Sequence, residues 1–315
     1  MEDQFQIIES STILQLIDMP ESTEAVEAAF VEYAKGEAIM PSKIYLTLPQ
    51  FNGDFRAMPA YVQGYSGVKW VNVHPDNKDR GIPSVMATII LNDPQTGVNV
   101  AVMDGTIITN YRTGAAGGLA AKYMARKDSK TIGLVGAGEQ ARTQLSAIGQ
   151  FYDLKEVRVT DVDPEAVEQF RSKTPNLTIK ETPVEKAASS DILVTTTPVR
   201  KPIIKSDWIK PGTHINAIGA DAPGKRELDP ALFQRENVTI VVDDFEQASH
   251  SGEINQLVSE GLLKEGDIWA TLPDLAAGKK KGRTTEEEIT IFDSTGLAIQ
   301  DIAVAKIIYE KYTQE

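Results

Sequence analysis

Three adjacent residues in the middle of the chain, Gly136-Ala137-Gly138, form the motif with the clearest chemical meaning. They follow an apolar run and precede a helical pattern that begins with Glu139 and Gln140. In a G-x-G-x-x-A turn of this kind, the backbone can approach a pyrophosphate at the N-terminus of a helix. A second strand-like run ends at Asp161, roughly 20 residues further on, where an acid binds a ribose 2′-hydroxyl. The turn and the acid together predict a dinucleotide-binding site.

The same acid favours NAD as the coenzyme, because a carboxylate repels the 2′-phosphate of NADP. Arg158 on the same strand-like run and Arg200 further along could each pair with that phosphate, so use of both coenzymes stays open. Without Asp161, the glycine-rich turn would equally fit an α/β domain that binds no ligand.

Polar residues also follow later strand-like runs, at the strand ends where a doubly wound sheet binds its ligands. Each group alone is typical of a loop, but their repetition indicates a site. The groups are Thr195 to Pro198, which includes Thr197; Ile218 to Lys225, which includes Gly219, Ala220 and Asp221; Asp243-Asp244; and Ser294-Thr295.

Four cations in the N-terminal part lie beside apolar residues instead of in charged runs: Lys43, Arg56, Lys69 and Arg112. Lys69 interrupts a run that otherwise reads as a buried strand, and a charge there needs a partner or a function. One interpretation is a lysine of lowered pKa that acts as a base or binds a carboxylate. The other is a lysine whose ammonium group reaches solvent beyond its apolar stem.

Composition and the remaining motifs exclude several classes of protein. The 315 residues include no cysteine, and the three histidines lack the spacing of metal ligands, so we expect neither thiol chemistry nor a metal site. A net charge of −13 disfavours nucleic acid as a partner. No apolar run approaches the ~20 residues of a membrane span, and the acidic N-terminus does not resemble a signal peptide. We therefore expect a cytoplasmic protein without membrane contact.

The elements that must position these residues follow two patterns. From residue 131 onward, helical segments alternate with strand-like runs at 131–135, 156–160, 191–195, 213–218, 238–243 and 289–293. This alternation predicts an α/β fold, a Rossmann-type doubly wound parallel sheet. Before residue 125, a helical pattern at 21–35 and strand-like runs at 42–47, 67–73, 84–91 and 99–104 predict a smaller α+β domain.

Several ordered segments of the chain resemble the ornithine cyclodeaminase/mu-crystallin family of NAD(P)-binding proteins. They are RAMPA (56–60), VKWVNVHP (68–75), YRTGAAGGLAAKYMAR (111–126), GLVGAGEQA (133–141), GTHINAIGADAPGKRELDP (212–230) and ITIFDSTGLAIQD (289–301). The resemblance covers roughly residues 20 to 310, and within the family it is strongest to members that oxidise L-alanine.

The resemblance implies a homodimer with two kinds of domain. Residues 1–125 with the C-terminal segment 298–315 would bind the substrate and form the dimer contact, and residues 126–297 would bind NAD. The implied activity is the reversible oxidative deamination of L-alanine to pyruvate and ammonia, with hydride transfer from Cα to the nicotinamide. Alternatives within the family are reduction of cyclic imino acids or other keto acids, ornithine cyclodeamination, and NADPH and ligand binding without turnover, as in mu-crystallins.

The resemblance also implies roles for individual residues. Lys69 would be catalytic or bind the substrate carboxylate, and Asp221 would be the acid/base group that handles water or ammonia; which is the principal base stays open. Arg112 would lie beside both the coenzyme phosphate and the substrate. The coenzyme contacts implied are Arg112, Thr113, Gly136, Ala137, Gly138, Glu139, Gln140, Asp161, Thr197, Ile218, Gly219, Ala220, Lys225 and Ser294.

One position departs from the cyclodeaminase pattern. Those enzymes have a Glu before the Met-Pro pair that accepts a distal amino group, whereas this chain has Arg56 in that segment. An arginine repels a distal ammonium and can clamp a carboxylate, together with Lys43 or Lys69. This predicts a small amino or keto acid without a distal cation as the substrate.

Overall fold

The computed structural model describes residues 5–314, apart from the side chain of residue 78. The chain divides into two compact units, each with its own β-sheet. Unit 1 comprises Met1–Arg112 and Leu297–Glu315, and unit 2 comprises Thr113–Gly296. Within the described chain, no helix combines the length and the apolar character needed to cross a membrane.

The centre of unit 1 is a six-stranded sheet. Its strands are β1 (Gln6–Ile8), β2 (Ile44–Leu48), β3 (Gly53–Val62), β4 (Tyr65–Val73), β5 (Val85–Asn92) and β6 (Asn99–Asp104). They lie in the order β1-β6-β5-β4-β3-β2, in which β1 runs parallel to β6 and all other pairs are antiparallel. Arg56 lies opposite Val71 and Met58 opposite Lys69. Because side chains alternate between the faces of a strand, Arg56 and Lys69 share the buried face.

Helices cover the buried face of the sheet in unit 1. They are α1 (Ser10–Leu16), α2 (Met19–Lys35), the first part of α3 (Gly105–Met124) and the C-terminal helix α11 (Ala298–Gln314). The capping residues of α2 define its two ends. At the N-terminus, the side chain of Asp18 accepts a hydrogen bond from Glu21 N at 2.8 Å, and at the C-terminus Gly36 ends the helix with a φ of 78°. Helix α11 packs against α2, β3, β4 and β5, as expected for a C-terminal helix that returns to the N-terminal part.

Unit 2 contains an eight-stranded sheet. Its strands are β7 (Thr131–Val135), β8 (Glu156–Thr160), β9 (Ile179–Glu181), β10 (Ile192–Thr195), β11 (His214–Ala217), β12 (Val238–Val242), β13 (Ala270–Thr271) and β14 (Ile289–Asp293). The order is β13-β12-β14-β11-β10-β7-β8-β9, and every pair is parallel. The predicted α/β fold with a Rossmann-type sheet and a second, smaller domain is confirmed.

Helices of unit 2 lie between its strands. They are α4 (Glu139–Ile148), α5 (Pro164–Ser172), α6 (Val184–Ala188), α7 (Pro230–Phe233), α8 (Phe245–Ser251), α9 (Asn255–Ser259) and α10 (Leu272–Ala276). Short 3₁₀ turns in the chain occupy Pro49–Phe51, Pro75–Arg80, Ser206–Trp208 and Glu265–Asp267. Two apolar clusters form the core, and Ile192 and Val194 enter one while Leu193 enters the other. Both faces of the sheet are thus buried, which explains its nearly continuous apolar strands.

The boundary between the units falls within α3, at 112/113, and not at the predicted residue 125. The reason is the glycine-rich second half of that helix. A Cβ at Gly114 would lie 2.6 Å from Thr143 O, and one at Gly117 would lie 1.9 Å from Gln144 Oε1. Helix α4 of unit 2 can approach so closely only because these positions lack side chains, so this half of α3 belongs to unit 2.

Strand β3 was missing from the sequence prediction, which placed strands before and after it but none at 53–62. The strand carries Asp54, Arg56 and Pro59. Charged residues and proline argue against a strand when only local preference is considered, because proline cannot donate a ladder hydrogen bond. In the structure, burial alternates along its second half, with Met58, Ala60 and Val62 inside, but the residues between them are not polar, so the sequence shows no apolar/polar alternation here.

Candidate functional site

The glycine-rich turn joins β7 to α4 in unit 2. Gly136 has a φ of 99°, a conformation that favours glycine, and a Cβ there would lie 2.5 Å from Thr196 Oγ1. Gly138 is the N-cap of α4, so no side chain covers the first N–H groups of the helix, which starts with Glu139 and Gln140. A Cβ at Gly138 would meet nothing within 4 Å. This combination of an open backbone and a helix N-terminus suits a pyrophosphate.

Asp161 follows β8 and lies beside this turn. Its Oδ2 accepts a hydrogen bond from Ala137 N at 2.7 Å, and its Oδ1 accepts one from Asp163 N at 3.0 Å. Each oxygen retains a second lone pair, which a ribose hydroxyl can use. Arg158, in contrast, is buried and pairs with Glu156 at 2.7 Å. Arg158 is therefore already engaged in the structure and does not serve as a partner for a 2′-phosphate.

The predicted residues after β10 and β11 lie on two loops that share one buried acid, Glu227. Thr197 N and Gly219 N donate to its two oxygens at 2.7 and 2.8 Å. Two residues beyond Gly219, Asp221 forms an ion pair of 2.5 Å with Lys225 Nζ, and the Asp221 side chain is 30% exposed. Asp221 is thus accessible, and a cation lies beside it.

Three of the remaining predicted coenzyme contacts of unit 2 lie near strand ends, and a fourth, Thr113, lies in a helix. Ile218 and Ala220 are buried directly after β11. Ser294 follows the neighbouring strand β14 and donates from its backbone N to Ala217 O at 3.1 Å. Thr113 lies in α3, where its carbonyl accepts from Gln144 Nε2 at 2.9 Å. The residues after β11 and β14 therefore lie at one edge of the sheet, since these strands are parallel neighbours.

Unit 1 contains a buried cluster of charges on three elements. Lys69 on β4 donates from Nζ to Asp301 Oδ1 at 2.7 Å, and Arg112 on α3 donates from Nε to the same oxygen at 2.9 Å. Arg112 Nη1 also donates to Gln300 Oε1 at 2.9 Å. Side-chain exposure is 1% for Lys69 and 0% for Asp301. The alternative of a lysine that reaches solvent is therefore wrong.

The cluster also has unused polar atoms. Asp301 Oδ2 and Gln300 Nε2 are buried and have no hydrogen-bond partner among the described residues. The orientation of the Gln300 amide is fixed, because its Oε1 accepts from Arg112 and from Leu297 N. Gln300 Nε2 is therefore a buried donor, and a donor beside two cations fits a carboxylate ligand.

The pKa of Lys69 is lowered from its ordinary value to about 7: burial and then the positive charge of Arg112 lower it, and Asp301 partly offsets them by raising it. A lysine with this pKa can hold or release a proton near neutral pH, which an ordinary surface lysine cannot do.

Arg56 lies on the same face as Lys69 but has an anionic partner. Its Nε and Nη2 donate to the two oxygens of Asp54 at 2.6 and 3.2 Å, and its guanidinium lies 5.3 Å from the ring of Tyr45. Asp54 and Arg56 are two residues apart on β3, so they point to the same side. Lys43 lies close enough for its charge to contribute to the lowered pKa of Lys69.

Sequence reasoning missed Asp301, Gln300 and Asp54. Asp301 is separated from Lys69 by 232 residues, so no spacing rule connects them. A usable signal was nevertheless present: an acid and an amide interrupt the apolar pattern of the C-terminal helix in its first turn. Asp54 could have been inferred from the alternation on β3 once that strand was recognised.

The chain belongs to the ornithine cyclodeaminase/mu-crystallin family, whose model matches residues 4–315. Over 306 residues it is 53% identical to the alanine dehydrogenase of Archaeoglobus fulgidus. The aligned residues cover 96% of this chain and 94% of that protein. The resemblance predicted from the sequence motifs is thereby confirmed.

Two solved structures are similar in fold as well as in sequence. An archaeal alanine dehydrogenase dimer with bound NAD has a TM-score of 0.95 and 52% identity, with 98% of this chain and 96% of that chain covered. The Δ1-pyrroline-2-carboxylate reductase of Thermococcus litoralis, in complex with NADH and L-proline, has a TM-score of 0.94 and 42% identity, with 98% of both chains covered.

Proposed function

We propose that this protein is an NAD-dependent amino-acid dehydrogenase that converts L-alanine, NAD⁺ and water reversibly into pyruvate, ammonium, NADH and a proton. The observation that carries the proposal is the 53% identity to the Archaeoglobus alanine dehydrogenase over nearly the whole chain. Two features of the chain itself support it: the coenzyme motif of unit 2 and the buried cationic cluster of unit 1.

Unit 2 holds the coenzyme in this proposal. The N-terminus of α4 at Gly138 takes the pyrophosphate, and Asp161 takes the ribose hydroxyl that distinguishes NAD from NADP. Thr197 and Gly219 lie on the loops at the carboxyl edge of the sheet, where dinucleotides bind in doubly wound folds. When bound, NAD⁺ supplies the hydride acceptor.

Unit 1 holds the substrate carboxylate. Arg112 carries one positive charge and Lys69 carries a second when it is protonated, against the single negative charge of Asp301, and Gln300 Nε2 adds a buried donor. A buried cluster with an excess positive charge attracts an anion, and a carboxylate can accept from several of these donors at once. Lys43 increases the positive potential of the same region.

Two residues handle protons. Lys69 Nζ, with a pKa of about 7, accepts a proton as L-alanine is oxidised and returns it in the reverse reaction. Asp221 is the second acid/base group, and its ion pair with Lys225 holds its carboxylate in place. We assign the role of principal base to Lys69, because its surroundings lower its pKa from the ordinary value of a lysine to about 7.

The charges around Arg56 favour a substrate without a distal ammonium. Arg56 and Asp54 form a two-point ion pair on the buried face of the sheet. The acid is therefore already engaged and the arginine remains positive, so the pair offers no free carboxylate to the side-chain amine of ornithine.

Reduction of a cyclic imino acid is the second candidate. It is favoured by the 42% identity and TM-score of 0.94 to the Thermococcus litoralis reductase. Such a substrate has the same carboxylate and the same carbon–nitrogen unit as the alanine reaction, so the cluster in unit 1 would serve both. The candidates differ only in whether ammonia is a separate reactant.

We further propose that the protein is a cytoplasmic homodimer. The face of the unit 1 sheet opposite Lys69 exposes large apolar side chains, including Ile44 at 66%, Leu46 at 50% and Trp70 at 43%. Exposed apolar side chains concentrated on one face are typical of a protein interface.

The experiment that tests the proposed function is a substrate panel followed by NADH absorbance. Pyruvate with ammonia should give rapid NADH oxidation, pyruvate alone should give none, and alanine should reduce NAD⁺. Faster turnover of pyrroline-2-carboxylate without ammonia would favour the second candidate. NADH binding without turnover of any amino, keto or imino acid would overturn both in favour of a ligand-binding protein.

A further inference from the structure

A chain of buried carboxylates connects the loops of unit 2. Asp293 accepts hydrogen bonds from Glu253 N and Ile254 N at 2.9 and 3.0 Å. Glu253 accepts in turn from Glu227 N and Leu228 N at 2.9 and 2.6 Å. Each acid thus fixes the backbone of the segment that carries the next acid, and the chain ends at Glu227.

Glu227 is 0% exposed and accepts four hydrogen bonds. Oε1 accepts from Thr197 N at 2.7 Å and Thr197 Oγ1 at 2.6 Å. Oε2 accepts from Gly219 N at 2.8 Å and Thr195 Oγ1 at 2.7 Å. Four donors fill the acceptor sites of a carboxylate, so Glu227 acts as the ionised member of the chain.

Glu253 has the opposite environment. It accepts only backbone N–H groups, and two other buried acids, Glu227 and Asp293, lie near it. Burial raises the pKa of Glu253 well above its ordinary range, and the charge of Glu227 raises it further; burial also raises the pKa of Glu227. Burial thus disfavours the charged form of both acids, and more strongly that of Glu253.

We propose that Glu227 is a positioning residue for the coenzyme and acid/base loops: it fixes the loops after β10 and β11 at Thr197 and Gly219, and thereby places Asp221. This rests on the proposed function, because that function gives the two loops their role. The spacing between the loops is small, since a Cβ at Gly219 would lie 2.2 Å from Thr197 O. A small displacement of one loop would therefore also displace the other.

The decisive variant is Glu227→Gln. An amide has one acceptor oxygen, so in either orientation its NH₂ group faces the backbone N–H of Thr197 or of Gly219, which cannot rotate away. We expect the Kd for NADH, measured by fluorescence, to rise roughly tenfold or more, and kcat with L-alanine to fall at least as much. Amide hydrogen exchange at residues 196–198 and 218–221 should become faster.

A matched control separates positioning from general stability. Glu288, before β14 at the opposite edge of the sheet, also accepts two N–H groups, from Thr284 and Thr285. Glu288→Gln should lower Tm without changing NADH affinity or kcat.

The outcomes distinguish this inference from the proposed function. If the wild type binds NADH but does not oxidise alanine, the proposed substrate is wrong and the Kd comparison still tests Glu227. If the wild type does not bind NADH, the proposed coenzyme is wrong and hydrogen exchange still tests the loops. Wild-type affinity, kcat and exchange in Glu227→Gln, or in Glu227→Asp if the first does not fold, would overturn the inference. Failure of both variants to fold would also overturn it, because Glu227 would then be required for folding and not specifically for positioning the loops.

Discussion

Lys69 and Asp301 form a fully buried ion pair in which Nζ lies 2.7 Å from Oδ1. The same oxygen accepts from Arg112, so one carboxylate holds two cations from different elements. Removing two charges from water is costly, and a buried pair tolerates this cost only with good geometry and further hydrogen bonds. When Lys69 is protonated, the cluster carries one excess positive charge, which supports the proposed binding of an anionic substrate.

Asp301→Asn should destabilise the protein by about 3–5 kcal/mol, because it leaves the buried cation Arg112 without its anion and removes the partner of Lys69. The lost carboxylate should also lower the pKa of Lys69 further, since Asp301 raises it in the wild type. Thermal unfolding measures the first effect. The matched control is Glu310→Gln in the same helix, which breaks a partly exposed pair with Lys306 worth about 0–1 kcal/mol. Equal losses of Tm in the two variants would contradict the importance of the buried pair.

The rate of alanine oxidation should depend on a group with a pKa near 7. The neutral, proton-accepting form of Lys69 predominates above its pKa of about 7, so kcat/KM should fall as the pH drops below that value. Lys69→Met should remove this inflection and lower kcat/KM by roughly 10²–10⁴-fold. Asp221→Asn should also lower kcat/KM, but the pH profile of this variant should retain the inflection near pH 7. An inflection that disappears in Asp221→Asn and persists in Lys69→Met would reverse the two assignments.

Asp161→Ala should weaken NAD⁺ binding and reduce the preference for NAD over NADP by roughly tenfold or more, because a charge-assisted hydrogen bond and a repulsive charge are both lost. Steady-state kinetics with the two coenzymes test this. Asp163→Ala is the control: Asp163 caps α5 through Glu165 N at 2.9 Å, so its loss should cost about 1 kcal/mol of stability only. An unchanged coenzyme ratio in Asp161→Ala would contradict the role of the acid.

Gly114→Ala should destabilise unit 2 by roughly 1–3 kcal/mol, because its Cβ would lie 2.6 Å from the backbone oxygen of Thr143, which can move away only if α3 and α4 separate. Denaturant unfolding gives the comparison. At Gly266 a Cβ would meet nothing within 4 Å, so Gly266→Ala should be nearly neutral. If the two variants have the same free energy of unfolding, the close contact between α3 and α4 does not contribute to stability.

Trp70→Glu should dissociate the proposed dimer, because it places a charge in the exposed apolar face of the unit 1 sheet. Sedimentation velocity should then show a monomer. Leu262 in unit 2 is similarly exposed, at 50%, so Leu262→Glu should leave the dimer intact. A wild-type protein that sediments as a monomer would refute the proposed assembly.

Sequence alone determined the features that depend on neighbouring residues. The glycine-rich turn and Asp161 were recognisable because their chemistry resides in a short segment and one subsequent strand, and the six strands predicted in unit 2 appear within about one residue of their expected ends. Their apolar runs are nearly continuous because both faces of the sheet are buried, and this leaves a strong local signal.

Tertiary structure alone decided the environment of each charge. Nothing in the sequence connects Lys69 to Asp301 or Glu227 to Thr197, since the partners lie on different elements and meet only when the chain packs. The pKa of Lys69 follows from that packing, because desolvation and the neighbouring charges act through space and not along the chain. For the same reason, the boundary in α3 became visible only when its glycines were seen against α4.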